Sequence, residues 1–365
     1  MGNSVRILHI VTQMEAGGAQ GAAIRNAEYM REKGISSSVL FLYRKRGVYD
    51  DHDCVSWLLE NPPQKIWDYL KIMRRLYAFL RREKPDAIIS YTHYANVMSG
   101  FFGRVSLVPR VISSHRNPTY SYPKACRVAD KLIGTLGFYS SAICVSNTVH
   151  DSFEGYPERY KKRLRIIRNG IDLKNFSQAN RAAGDFSEPR PDRKFRYITV
   201  GRLHHQKNHK ILIDAMSEVE NEDIELWIVG DGELREMLAG YAEACGVSDR
   251  VRFLGEVPPS NMKSLLGEAD AFLFPSKYEA FGFAVVEAMA GGLPVICSDI
   301  PAMHEIVSDA GILVSLDDPS IWAKTLQRTA EQPSLLYDMS LRSRERAREF
   351  SLDEMAEGYI DAAQK

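Results

Sequence analysis

Short β-branched runs alternate with longer stretches of helical period along the whole of this 365-residue chain. That alternation is what βαβ units feeding parallel sheets require. In the first half the expected strands are Val5–Val11, Ser38–Leu42, Ala87–Tyr91, Arg110–Ser114, Ala142–Val145 and Leu164–Ile167. The pattern breaks at SQANRAAGDFSEPRPDRK, residues 177–194, which is polar, holds two prolines and has no period, so it reads as a linker or surface loop. A second series follows: Arg196–Val200, Glu225–Val229, Val251–Leu254, Ala271–Phe274, Pro294–Ser298 and Gly311–Val314. A single core stops growing at roughly 250 to 300 residues. The expected architecture is therefore two doubly wound α/β domains with a cleft between them, and ligands of such sheets bind at the carboxyl ends of the strands.

Three strand ends carry chemistry. After the first strand, Gly17 and Gly18 precede an amphipathic helix, where glycine lets a ligand approach the backbone and the helix start offers free N–H groups. The spacing does not match Gly-x-Gly-x-x-Gly, which disfavours NAD. After the first strand of the second half comes VGRLHHQKNHKILIDAM, with Arg202 and Lys207 before and at the start of a helix. Two cations converging on such a turn suit a diphosphate, Arg through its planar fork and Lys as a movable point charge. His204, His205 and His209 lack a carboxylate or Cys at ligand spacing, so no metal is expected there.

The third strand end is KYEAFGFAVVEAMAGG, in which Glu279 lies in the turn at the mouth of a helix and Glu287 about two helical turns further on. Carboxylates so far apart suit hydroxyl groups on two parts of a long polar ligand better than one scissile bond. The amides of Ala280, Phe281 and Gly282 add anion-binding donors at the helix start. A sugar joined to a nucleotide by a diphosphate has that layout.

The formal charge is zero, yet residues 1–180 hold 27 Lys and Arg against 15 Asp and Glu, and residues 181–365 hold 20 against 32. The balance of +12 against −12 suggests that the first half faces something anionic. Within it, residues 65–83 place Ile66, Trp67, Leu70, Met73, Leu76, Tyr77 and Leu80 at helical spacing, with Lys71, Arg74, Arg75, Arg81 and Arg82 largely on other faces. This segment reads either as an ordinary core-facing helix or as one lying on a membrane surface. No run of about 18 apolar residues signals a membrane span, and no signal peptide is read. The five widely spaced cysteines lack a Cys-x-x-Cys pair and are expected as free thiols in a reducing cytoplasm. No recognised nucleic-acid-binding motif accompanies the basic half, so nucleic acid is not an expected partner.

Taken together, GGAQ near the start, VGRLHHQKN at 200–208, VGDGELREML at 229–238, FLGEV at 253–257 and Glu279-x7-Glu287 resemble retaining GT-B glycosyltransferases of the family 4 type. The likeness is greatest to bacterial hexosyltransferases of lipopolysaccharide, capsule and lipid-linked glycan synthesis, and it spans nearly the whole chain. The resemblance implies two Rossmann-like domains. Residues 1–176, with a crossover helix at about 348–365, would bind the acceptor, and residues 177–347 would bind a nucleotide sugar, UDP-linked in preference to GDP-linked. It implies Arg202 and Lys207 on the diphosphate, Glu287 on the ribose, Glu279 on the donor sugar and Gly282 with its neighbouring amides near the phosphates. Val257 would meet the base, Gly17 and Gly18 would close over the donor, and IRNGID would stand at the domain junction. His115, ending a strand in VISSHRNP, would be catalytic or sugar-contacting, with His93 a second candidate. The expected reaction uses no cofactor and no metal, takes a glycan or lipid-linked acceptor, and places the protein in the cytoplasm, with association to an anionic membrane through its basic half. A transferase with a small-molecule acceptor, an epimerase or phosphorylase on a similar scaffold, and a binding protein without turnover are the alternatives; no motif for pyridoxal phosphate is present.

Overall fold

The computed structural model describes residues 5–15, 17–173, 176 and 193–364. Contacts divide the chain into two compact units, one running to Gly170 and taking back Leu352 onward, the other Ile171–Ser351. The division falls a few residues from the expected boundaries because the second unit ties its own ends together. The Ile171 N–H donates to the Phe350 carbonyl at 2.9 Å, and Ile171 forms a bridge with Ser351. Of the expected linker, residues 177–192 lie outside the described residues.

The first unit contains β1 (Arg6–Met14), α1 (Gly18–Glu32), β2 (Ser36–Arg44), β3 (Val55–Trp57), α2 (Ile66–Glu83), β4 (Ala87–Ser90), α3 (His93–Val105), β5 (Arg110–His115), α4 (Lys124–Leu136), β6 (Ser141–Cys144), α5 (Asn147–Asp151), α6 (Glu158–Lys161) and β7 (Leu164–Ile166). Its sheet has the order β3-β2-β1-β4-β5-β6-β7, and every pairing is parallel. The six expected strands are present. The seventh, Val55–Trp57, is a half-buried three-residue edge strand, too short to show a pattern. Central strands are continuous apolar runs such as Ala87-Ile88-Ile89 because helices cover both faces.

The second unit contains β8 (Phe195–Val200), α7 (Lys210–Glu218), β9 (Ile224–Val229), α8 (Arg235–Ala244), β10 (Val251–Gly255), α9 (Pro259–Gly267), β11 (Ala271–Phe274), α10 (Phe283–Ala290), β12 (Val295–Ser298), α11 (Pro301–Val307), β13 (Ile312–Val314), α12 (Pro319–Glu331) and α13 (Pro333–Ala347). Its parallel sheet has the order β10-β9-β8-β11-β12-β13. In both sheets the order reverses beside the first strand of the unit, the switch point at which doubly wound sheets leave room for a ligand. The last helix, α14 (Leu352–Gln364), belongs to the first unit, burying Met355, Ala356, Tyr359, Ala362 and Ala363. The Tyr359 hydroxyl lies 2.7 Å from Ser114 Oγ on β5. No helix among the described residues is long and apolar enough to cross a membrane. All five cysteines are unpaired.

A polar chain threads the first core. Asn26 Nδ2 donates to the Tyr91 hydroxyl at 2.9 Å, and that hydroxyl lies 2.8 Å from His9 Nδ1. His9 Nε2 lies 2.9 Å from Ser37 Oγ, whose hydroxyl donates onward to the Met30 sulfur at 4.0 Å. Both hydroxyls and both ring nitrogens are satisfied when His9 is neutral with its proton on Nε2. Burial pushes the ring down to about 3. The folded chain therefore refuses a proton that the unfolded chain takes up near 6.5. The stability His9 confers is fully present above about 6.5 and is lost as pH falls toward 3, by about 2 kcal/mol at pH 5. Urea-unfolding midpoints measured between about pH 7 and about pH 5 should fall steeply for wild type, and His9→Gln should flatten that dependence by about the same amount.

Candidate functional site

The ends of β8, β9 and β10 are bound to one another backbone to backbone. The Gly201 N–H donates to the Val229 carbonyl at 3.0 Å, Leu203 N–H to Asp231 at 3.0 Å, Leu234 N–H to Leu203 at 3.1 Å and Gly230 N–H to Gly255 at 2.8 Å. Gly230 has φ +127°, and a Cβ there would lie 2.1 Å from the Gly201 oxygen; one on Gly232 would lie 2.5 Å from the Leu203 oxygen. Only glycine permits the two turns to close on each other. Leu203, fully buried, anchors the turn into the core and leaves its neighbour Arg202 pointing outward with 71% of its side chain exposed.

From this platform residues 204–209 lead into α7, reversing at Asn208 with φ +52°. The stem of Lys207 lies on Gly201, and its ammonium sits 4.7 Å over the Phe274 ring. Lys207 Nζ donates to Glu279 Oε1 at 2.5 Å. Gln206 closes the same corner: its side-chain amide donates to the Tyr278 carbonyl at 2.8 Å and to Glu279 at 3.3 Å, and its own carbonyl accepts from Lys277 N–H at 2.8 Å. The turn after β8 is thus stitched to the turn after β11, bringing Lys207 and Glu279 together from 72 residues apart. Glu279, with 11% of its side chain exposed, is held by a cation and an amide.

Beyond Glu279 the chain enters α10 through Gly282, which caps the helix at φ +113°. A Cβ there would lie 2.9 Å from the Met303 methyl. Ala280 is half-buried, while the Phe281 side chain packs into the core against Phe283 and Phe350. What Phe281 offers a ligand is its backbone. Glu287 is half-buried on α10, and Val257 is half-buried just past β10. Two polar side chains were not singled out from the sequence. Gln206 is one, and Glu233 is the other, 3.2 Å from Arg202 and 3.4 Å from His204. Both fall inside the quoted motifs, yet only the folded turns show which side chains they meet.

The three histidines of this segment part company. His204 faces Glu233 and His205 is exposed, whereas His209 is buried at the start of α7 and pushed down to about 4, first by burial and then by Lys207. Among the described residues no group of three His, Cys, Asp or Glu is placed to hold a metal ion.

In the first unit, Gly17 and Gly18 are exposed at the start of α1, with the Gly17 carbonyl accepting from Gly21. His115, expected as catalytic or sugar-contacting, sits at the end of β5 and is fully buried. Its Nδ1 lies 3.1 Å from the Tyr122 hydroxyl, and its Nε2 lies 3.0 Å from Ser113 Oγ and 3.1 Å from the Tyr160 hydroxyl. Burial pushes it down to about 3 and pushes neighbouring Asp130 up to about 7, so near neutrality the ring is an uncharged member of a closed cluster. His93, half-buried at the first position of α3 and stacked on Tyr122 at 5.3 Å, is the more accessible of the two strand-end histidines. Asn169 of the IRNGID element is buried and accepts from the Arg116 guanidinium.

A model of the group 1 glycosyl transferases matches residues 180–350, and one of glycosyltransferase family 4 matches residues 16–175. An uncharacterized glycosyltransferase of Methanocaldococcus jannaschii is 40% identical over 77% of this chain and 71% of its own length. The chain belongs to the GT-B glycosyltransferases of the family 4 type. A UDP-Gal:α-D-GlcNAc-diphosphoundecaprenol α-1,3-galactosyltransferase of Escherichia coli is 27% identical over 73% of this chain and 72% of its own. In fold, the transferase superposes on Anabaena HepE, solved with UDP, with TM-score 0.83, 19% identity and coverage of 98% and 99% of the two chains.

Gly230→Ala in this glycosyltransferase should cost about 3 kcal/mol or more, because it adds both a disfavoured φ and a backbone clash. Gly240→Ala in α8, whose Cβ would meet nothing within 4 Å, should be neutral or mildly stabilising. Equal unfolding midpoints for the two variants would show that the turns do not pack as described.

Proposed function

We propose that this glycosyltransferase moves a hexose, with retention, from a nucleotide diphosphate sugar to a hydroxyl of a lipid-linked or glycan acceptor in cell-envelope polysaccharide synthesis, without a metal. The observation that carries the reading is the Lys207–Glu279 pair beside Arg202 and the start of α10, where a diphosphate and a sugar find opposite charges side by side. Arg202, exposed and tied to Glu233, exchanges that carboxylate for the donor's phosphates. Lys207 and the amides of Ala280, Phe281 and Gly282 meet the same group. Glu279 accepts from sugar hydroxyls and Glu287 from the ribose, while Val257 lies against the base.

The bond from sugar C1 to the diphosphate oxygen breaks as the acceptor oxygen bonds C1 on the same face, and the acceptor proton passes to the departing diphosphate. Negative charge grows on the leaving group, where preorganised cations and amides act most strongly. UDP is favoured over GDP by the UDP complex of the structural neighbour. A lipid-linked acceptor is favoured by the undecaprenol substrate in the Escherichia coli relative's name and by the basic first half of the chain, which suits a cytoplasmic protein working at an anionic membrane surface.

Thermal unfolding with UDP, GDP, ADP and their hexose conjugates tests the reading. UDP ligands at 100 times their Kd should stabilise wild type by about 2.7 kcal/mol, equally with EDTA present, and should leave Lys207→Ala unmoved. Lys207→Ala and Arg202→Ala should each lower sugar transfer by about 100-fold or more. Silence toward every nucleotide would remove the transferase mechanism, and loss of transfer in EDTA would remove its metal independence. An inverted anomer in the product NMR spectrum would refute retention.

A further inference from the structure

Helix α2 has two apolar stripes. Ile72, Leu76 and Leu80, four residues apart, are buried in the first core. Ile66, Leu70, Met73 and Tyr77 recur at four, three and four residues on another face and are exposed. The seven apolar residues of this segment therefore do not form the single core-facing stripe that one sequence reading allowed. Trp67 beside the second stripe is 73% exposed, a large area for so big an aromatic side chain to leave in water.

The feature repeats on the neighbouring helices. α3 packs beside both α2 and α4. It buries Ala95, Ser99 and Gly103 while exposing Tyr94, Phe101 and Val105, spaced by seven and four residues. On α4, Cys126, Ile133 and Gly134 are buried, and Val128, Leu132 and Leu136, four residues apart, are exposed, Val128 by 67%. Three adjacent helices thus each turn an apolar stripe away from the sheet. Scattered exposed apolar residues need no explanation, but aligned stripes on one layer do.

Charge selects the occupant. Helices α2, α3 and α4 carry nine Lys or Arg against Asp68, Glu83 and Asp130, and Asp130 is buried. A second copy of this chain docking on the same face would bring like charge against like. An anionic lipid surface accepts both features, apolar side chains into the headgroup boundary and cations onto the phosphates. We propose that the outer face of α2, α3 and α4 docks onto an anionic phospholipid bilayer. The proposal rests on the reading above that the acceptor is lipid-linked, and it identifies the surface that brings the enzyme to it.

Co-sedimentation with vesicles of equal parts phosphatidylglycerol and phosphatidylcholine tests it on the full chain. Wild type should pellet with these vesicles, several-fold less with phosphatidylcholine alone, and less as salt rises. Trp67 emission should shift to the blue on binding, and Trp67→Phe should remove that shift. Two variants of exposed residues, Leu70→Glu with Met73→Glu on α2 and Val128→Glu with Leu132→Glu on α4, should each lower the partition coefficient at least tenfold while keeping the wild-type thermal shift with UDP. Wild type left in the supernatant, or acidic variants that pellet like wild type, would overturn the proposal. So would a dimer in sedimentation velocity that the acidic variants dissolve, since a second copy would then cover the face. Nucleotide binding on the same samples separates the two readings. A chain that binds UDP but not vesicles loses the docking surface alone, and one that binds vesicles but no nucleotide keeps it and loses the mechanism.

Discussion

The close approach of the turn after β9 to the turn after β8, backbone against backbone at Gly230 and Gly201, is the constraint on which the second unit's site rests. Parallel strands leave their final carbonyls and the next helix's first amides without sheet partners, and these turns satisfy several of them by bonding to one another. Once the turns are locked, Leu203 is inside, Arg202 is outside, and the Lys207 stem lies across Gly201. A looser platform would leave two long cationic side chains free to sample many rotamers, each costing entropy to order around a ligand.

The first unit's core and the second unit's strand ends handle ionisable groups in opposite ways. The first buries His9 and His115 as neutral rings among hydroxyls, with Asp130 raised by burial toward neutrality, so its core polar groups act as scaffold. At the strand ends of the second, Arg202, Lys207, Glu233 and Glu279 pair at the surface or just beneath it. Groups that must exchange partners with a charged ligand cannot be sealed in, because a buried charge stripped of its partner carries a large desolvation cost. Accessibility, more than residue type, separates the Lys207 corner from the His115 cluster.

Much of this was legible in the sequence. Continuous apolar strands and amphipathic helices of ordinary length announce a doubly wound chain, and the twelve expected strands stand in the two sheets. The residues of the Lys207 corner were legible too, because strand, turn and helix start are local patterns. The direction of a side chain at a strand end was not. Ser113 and His115 share one face of β5 and turn into the cluster with Asp130, while Ser114 turns to Tyr359 on the other. Alternation gives two faces, but only packing says what covers each. The same limit applies to α2, where 18 residues leave room for two apolar stripes and period alone cannot tell which one meets the sheet.

The pairing of Lys207 with Glu279 bears on how an anionic donor enters. An uncompensated cation would attract any anion, whereas a paired one yields only to a ligand that offers more than a single carboxylate. On the proposed reading a diphosphate supplies that surplus, and Glu279 is not stranded when Lys207 turns away, because the Gln206 amide still holds it. The carboxylate is then oriented toward sugar hydroxyls while the ammonium meets phosphate. On that reading, recognition of the two halves of the donor would be coupled through one ion pair, so a nucleotide without its sugar and a sugar without its phosphates would each leave part of the exchange uncompensated.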